Sequence, residues 1–208
     1  LLAIQEENDD QFMLYLNEGL DDDGAPNFEQ VYTHYRDYAA ISASRIIAIA
    51  DYDNDGDQDV YVGRKYGYNW FFENQTLTGP AGDVTYHSNP EPFFIEKAVS
   101  LGIADFEVNE IGSMGYGAAW GDYDNDQDFD LYLTNWGVNR LFNNENNTFT
   151  NVADEQYLES DELSNGVSWG DYNNDGMLDL WVSSIRDPDD VFINLGNDDW
   201  DTTSSPQF

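Results

Sequence analysis

The sequence predicts an all-β protein assembled from repeated four-stranded antiparallel units, and three observations carry that prediction. A nine-residue acidic motif occurs three times, as DYDNDGDQD from Asp51, DYDNDQDFD from Asp122 and DYNNDGMLD from Asp171. Each copy follows a small-residue apolar run and precedes an alternating run of Val, Leu and aromatic residues. Helical periodicity is nearly absent, whereas short β-branched and aromatic runs bounded by Asp, Asn and Gly clusters read as strands. Recurrence at such spacings is the mark of repeated supersecondary units.

The elements follow in order within each unit. Strand A is RIIAIA at 45–50, GYGAAWG at 115–121 and GVSWG at 166–170. The acidic motif joins it to strand B, which is DVYVG at 59–63, DLYLTNW at 130–136 and DLWVSS at 179–184. Strand C is WFFEN at 70–74, RLFNN at 140–144 and VFINLG at 191–196. Strand D is PFFIEKA at 92–98 and TFTNVAD at 148–154, with DDWDTTSSPQF offering a weak third copy. The N-terminus enters the same frame late: LLAI matches a strand B, FMLYLNEG a strand C and NFEQVY a strand D. One segment is therefore expected over 1–208, divided into a partial unit 1–32, units 45–98 and 115–154, and a partial unit 166–208. QTLTGPAGDVTYHSNPEP at 75–92 is expected to be a long loop between strands C and D, and 99–114 to hold one short turn.

Composition limits the partners. The 208 residues include 42 acidic and 7 basic ones, a net charge of -35, which excludes nucleic acid and anionic membrane surfaces and favours cations. With 40% hydrophobic and 15% aromatic residues the chain has a core to bury, so charge does not imply disorder. There is no cysteine, and no apolar run is long enough to span a membrane. The chain does not begin with Met and its first residues lack the charged start and apolar stretch of a signal peptide, so a mature product or a fragment is expected.

The acidic motifs are the candidate metal sites. The frame D-x-D/N-x-D-x-x-x-D puts oxygen donors at positions 1, 3, 5 and 9, with a backbone carbonyl at 7. Hard oxygen donors around a tight turn are what Ca²⁺ selects. The donors are Asp51, Asp53, Asp55 and Asp59 with the Asp57 carbonyl; Asp122, Asp124, Asp126 and Asp130 with that of Asp128; and Asp171, Asn173, Asp175 and Asp179 with that of Met177. Gly56 and Gly176 take the position that prefers positive φ, where the middle loop has Gln127. Two carboxylates about 5 Å apart repel by roughly 3 kcal/mol at an effective dielectric of about 20, so several such pairs open the loop unless a cation sits among them. A solvated acidic turn is the alternative reading of one copy. The loops are not EF-hands, because position 12 is Val62, Leu133 or Val182 and the flanks are strands.

GYGAAWGDYDNDQDFDLYLTN with NRLFNNENNTFTNVAD, and GVSWGDYNNDGMLDLWVS with DDVFINLGN, resemble the FG-GAP/VCBS-type repeats, and the resemblance extends over about residues 1–197. It implies the Ca²⁺-loaded β-propeller blades of integrin α-chains and of many secreted bacterial proteins, hence about three Ca²⁺ ions and an extracellular or cell-surface location. It also implies a ring of about seven blades, of which this chain supplies about three and a half, an incomplete ring. Further blades of the same chain or identical copies are expected to cover the open faces. Gln127 and Asn173 depart from the repeat pattern, which bears on affinity at those loops and not on the fold.

Alternating strand direction sends the B–C connections to the face opposite the acidic loops. Arg64, Lys65, Tyr66, Tyr68, Trp136 and Arg186 lie in those connections and are candidates for contact with a protein or glycan partner. The alternative is that these aromatics pack between units and the bases offset local charge. Arg140 belongs to the repeat pattern. No catalytic residue is expected: His34 and His87 fall in loops, H-E-x-x-H does not occur, and the single literal G-x-S-x-G match, GVSWG at 166–170, is the strand A that precedes an acidic motif. The leading expectation is a non-enzymatic adhesion or assembly module. A carbohydrate-binding propeller, as a lectin or the accessory part of a polysaccharide-degrading enzyme, is the alternative.

Overall fold

The computed structural model describes residues 2–5, 12–32, 44–64, 67–74, 78–79, 83–84, 94–105, 115–159, 163–197 and 199–202. Among them there is no helix. The first sheet joins β1 (Leu2–Gln5), β2 (Phe12–Leu20) and β3 (Pro26–Tyr32). The second joins β4 (Ser44–Ala50), β5 (Asp59–Arg64), β6 (Trp70–Asn74) and β9 (Phe94–Glu96); β7 (Thr78–Gly79) and β8 (Asp83–Val84) pair separately inside the C–D insertion. The third joins β10 (Gly115–Gly121), β11 (Asp130–Asn135), β12 (Arg140–Asn144) and β13 (Phe149–Asn151). The fourth joins β14 (Ser164–Gly170), β15 (Asp179–Ser184), β16 (Asp190–Gly196) and β17 (Asp199–Thr202).

Every sheet is an antiparallel meander in chain order, and none closes on itself. These are propeller-type blades in an incomplete ring. The weak strand D at the C-terminal end is real: Asp199–Thr202 pairs with β16, so the fourth sheet has all four strands. The expected turn after strand D of the second sheet is present, with Leu101 N–H donating to the Lys97 carbonyl and Ile103 N–H to that of Ala98, both at 2.9 Å.

The blades stack through their A strands and B strands. β10 packs against both β4 and β14. Strand B is buried along its whole length in β5 and β11, because blades or sheet neighbours cover both of its faces; this is why it reads as a nearly continuous apolar run. Between the second and third sheets the core holds Tyr52, Tyr61, Phe71, Ala98 and Ile103 against Leu131, Leu133 and Phe142, with Trp120 and Phe149 at its margin. The next interface repeats the recipe: Tyr123, Tyr132, Leu141, Ala153 and Leu158 meet Leu180, Val182 and Phe192, with Trp169 and Trp200. Gly121 is required for that closeness, since a Cβ there would sit 2.7 Å from the Trp169 ring. Trp169 also donates its indole N–H to the Ala119 carbonyl at 3.1 Å, tying blade to blade.

Candidate metal centres

Each acidic motif is the A–B turn of a blade, and the same local rules shape all three. Position 4 is Asn54, Asn125 or Asn174, each in the left-handed region at φ 58, 62 and 61. Asn tolerates that conformation better than other side chains bearing a Cβ. Position 6 is also left-handed, at φ 98 in Gly56, 80 in Gln127 and 90 in Gly176, so the middle loop carries strain at Gln127. The first carboxylate closes the turn: Asp51 accepts from Gly56 N–H at 3.0 Å, Asp122 from Gln127 N–H at 3.1 Å and Asp171 from Gly176 N–H at 3.0 Å.

Position 9 is a strand tie as well as a candidate ligand. Asp59 accepts the Tyr52 N–H at 3.1 Å on one oxygen and the Asn74 N–H at 2.8 Å on the other. Asp130 does the same with Tyr123 at 3.1 Å and Asn144 at 2.8 Å. Asp179 repeats it with Tyr172 at 2.8 Å and Asn194 at 2.9 Å. Burial pushes Asp59 and Asp130 up to about 8, against the pull of those backbone donors, and neighbouring loop carboxylates push the same way. Burial likewise raises Asp53 and Asp124, with Asp55 and Asp126 adding to it.

The carboxylates gather as a cation requires in two loops. Asp51, Asp53 and Asp59 each present an oxygen within 4.8 Å of the others, as do Asp122, Asp124 and Asp130. In the first loop the test of fit is direct. One oxygen each of Asp51 and Asp53 is buried with no hydrogen-bond partner among the described residues, a costly arrangement that a hard cation would satisfy. Asp57 also buries its carboxylate, close enough to raise Asp59. Asp55 is exposed, and one of its oxygens accepts the Asp57 N–H at 3.0 Å.

The other loops differ in detail. Asp126 lies near Asp124 and Glu145, a carboxylate from the β12–β13 turn that the motif frame does not contain. Asn143 donates to Asp124 at 3.1 Å and to the Tyr123 hydroxyl at 3.0 Å. The Asp128 carboxylate takes Asn54 at 3.2 Å and the Asn146 N–H at 2.8 Å, so its side chain joins loops. In the Asp171 loop, residues 171–176 are exposed, and no carboxylate triad forms among the described residues, because Asn173 stands at position 3 and donates to Asp175 at 2.8 Å. Met177 places its sulfur 3.1 Å from Asn125.

Sequence reasoning missed three groups here. Glu73 occupies in the second sheet the place Asn143 holds in the third; it accepts the Tyr52 hydroxyl at 2.6 Å and pairs with Lys97. Glu145 enters only through the hairpin geometry. Asn74, Asn144 and Asn194 were visible as a recurring Phe-x-Asn at the end of strand C, without a role.

Residues 122–182 match the FG-GAP-like repeat. The matched stretch opens on the first donor of the Asp122 loop and runs through the whole Asp171 loop into β15, so the FG-GAP-like repeat spans two of the three acidic turns. No curated protein matches the chain. No helix among the described residues is long and apolar enough to cross a membrane.

The opposite end of the sheets holds the expected partner residues unevenly. Arg64 is buried at the end of β5; its guanidinium lies 4.1 Å from the centre of the Trp70 ring and donates to the Tyr68 carbonyl at 3.0 Å. It stiffens the B–C turn and does not face solvent. Lys65 and Tyr66 lie outside the described residues, as do His34 and His87. Tyr68, Trp136 and Arg186 are exposed, Trp136 at 51%. Trp136 lies 6.1 Å from Tyr116, with ring planes 47° apart, and Arg45 covers the Tyr116 ring at 4.5 Å. Arg140 is held by Asp105 at 3.2 Å and faces Glu159 at 3.8 Å, a structural role.

Proposed function

We propose that this chain is a calcium-stabilised extracellular interaction module, without enzymatic activity, built of FG-GAP-like blades. The observation that carries the reading is the first acidic loop. It brings Asp51, Asp53 and Asp59 within 4.8 Å of one another and leaves buried oxygens of Asp51 and Asp53 without a hydrogen-bond partner among the described residues. Ca²⁺, when bound, supplies the positive charge that lets these carboxylates stay ionised side by side. The loops themselves do the rest: Asp51 closes the turn, Asp59 fixes the ends of strands A and C, and Asp53 and Asp57 each lie near enough to Asp59 to raise it. The Asp122 loop takes a second ion on Asp122, Asp124 and Asp130. The Asp171 loop takes a third more weakly, with Asn173 replacing a carboxylate. Weak loops fill where calcium is millimolar, which suits an extracellular or cell-surface setting.

The partner contacts the face opposite these loops. Trp136, Tyr116, Arg45 and Arg186 supply aromatic and guanidinium groups of the kind that dominate protein interfaces. A protein fits better than a glycan, because the 47° tilt between Tyr116 and Trp136 leaves no flat platform for consecutive sugar rings. Calorimetric titration of chelator-treated protein with Ca²⁺ tests the metal reading. About three sites are expected, and a protein that takes up none refutes it.

A further inference from the structure

The three position-9 carboxylates are joined by one unbroken hydrogen-bonded ladder. Asp59 accepts from Tyr52 N–H, and the Tyr52 carbonyl accepts the Asn144 side-chain N–H at 3.1 Å. Asn144 in turn donates its backbone N–H to Asp130. Asp130 accepts from Tyr123 N–H, the Tyr123 carbonyl accepts the Asn194 side-chain N–H at 2.8 Å, and the Asn194 backbone N–H donates to Asp179. Asn144 and Asn194 are 0% and 2% exposed, so water does not compete for these links. Each asparagine therefore ties its own blade, through its main chain and a side-chain bond to the Phe129 or Leu178 carbonyl at 3.2 Å, to the acidic loop of the preceding blade. A second, exposed link runs in parallel: Asn54 donates to the Gln127 carbonyl at 3.1 Å and to Asp128 at 3.2 Å.

We propose that Asn144 and Asn194 couple cation binding at neighbouring acidic loops, so that filling one loop tightens its neighbour. The inference rests on the reading that the loops bind Ca²⁺. Ordering the Asp122 loop around an ion fixes Asp130, hence the Asn144 main chain, hence the side chain that holds Tyr52 at the start of the Asp51 loop. A second ion then meets a loop already partly ordered, and the cost of ordering is shared. Linkage makes the effect reciprocal, and couplings of this type change affinity by about 5-fold or more. A contiguous network is only a suggestion of coupling until a cycle measures it, so the asparagines are positioning residues whose test must be the coupling itself.

The experiment is a set of Ca²⁺ titrations by calorimetry on the whole chain, with Asp53→Asn identifying the heat that belongs to the Asp51 loop. Silencing the second loop with Asp124→Asn and Asp126→Asn leaves the Asp130 ladder untouched. In the otherwise native chain this is expected to weaken the Asp51 loop by about 5-fold or more. In an Asn144→Ala background the same silencing is expected to leave the Asp51 loop unchanged. Asn194→Ala is expected to do likewise for the Asp122 loop when Asp171→Asn and Asp175→Asn silence the third. Because Asn144→Ala removes a buried tie, Asn54→Gly serves as the second variant; its position is exposed and its φ of 58 suits glycine, and it is expected to reduce the coupling in part. An Asp51 loop whose affinity ignores the silenced neighbour in the native chain overturns the coupling while leaving calcium binding in place. A native chain that takes up no Ca²⁺ overturns both.

Discussion

Calcium removal should make the stability of this protein depend on pH in the direction opposite to that of ordinary acid denaturation. Asp59 and Asp130 are 1% and 0% exposed, and burial pushes both up to about 8 in the ion-free protein. In an unfolded chain each titrates near 4. Between those values the folded state holds more protons than the unfolded one, so stability is present in full below about pH 4 and is lost as pH rises toward about 8. Each carboxyl contributes about 1.4 kcal/mol per pH unit in the middle of that window, so the pair gives about 3 kcal/mol per unit. For a chain of this size that is a fall in melting temperature of about 5–10 °C per pH unit. The assay is a series of thermal melts between pH 5 and 8 in chelator, repeated in excess Ca²⁺. With calcium the carboxylates stay ionised throughout, the slope flattens, and loading at about 100 times Kd adds about 3 kcal/mol per site. A chelated protein whose melting temperature is level or rises from pH 5 to pH 8 would refute the reasoning, because it would mean that the buried carboxylates are already compensated without an ion.

Other consequences follow from the same geometry. Asp53→Asn should remove one calorimetric site and keep the other two, with the Asp122 site weakened through the coupling proposed above. Gln127→Gly should raise stability by about 1 kcal/mol, read from denaturant midpoints, because glycine adopts the φ of 80 without the strain a Cβ brings. Mg²⁺ should restore the melting temperature of chelated protein poorly, because it demands a tighter octahedron than these loops offer. Tyr172 is 40% exposed and Trp181 half-buried on the side of the fourth sheet where Tyr123 and Tyr132 are buried in the third, so this face calls for a cover. Sedimentation of the 208-residue chain is therefore expected to show association that Ca²⁺ or salt promotes by screening the net charge of -35. A compact monomer under all conditions would count against it.

The acidic loops were legible in the sequence because a turn's chemistry is local: Asp and Asn donors at alternate positions and Gly at the left-handed position specify the A–B turn within nine residues. The strands were legible for the same reason, through alternation and the apolar B strand, and the observed bounds fall close to the runs that predict them. Local signals failed where a weak segment depends on a partner. DDWDTTSSPQF is a poor strand alone, and Asp199–Thr202 becomes one by pairing with β16. They failed again where function depends on three-dimensional neighbours. Nothing near Arg64 in sequence says that Trp70 will cover its guanidinium, and nothing near Asp124 says that Glu145 will approach from the next hairpin. The sequence by itself determined where the charged turns lie and which strands flank them. Only the tertiary structure decided which carboxylates are buried together, and that Asn144 and Asn194 reach across to the preceding blade, because burial and cross-blade hydrogen bonds are set by packing between units far apart in the chain.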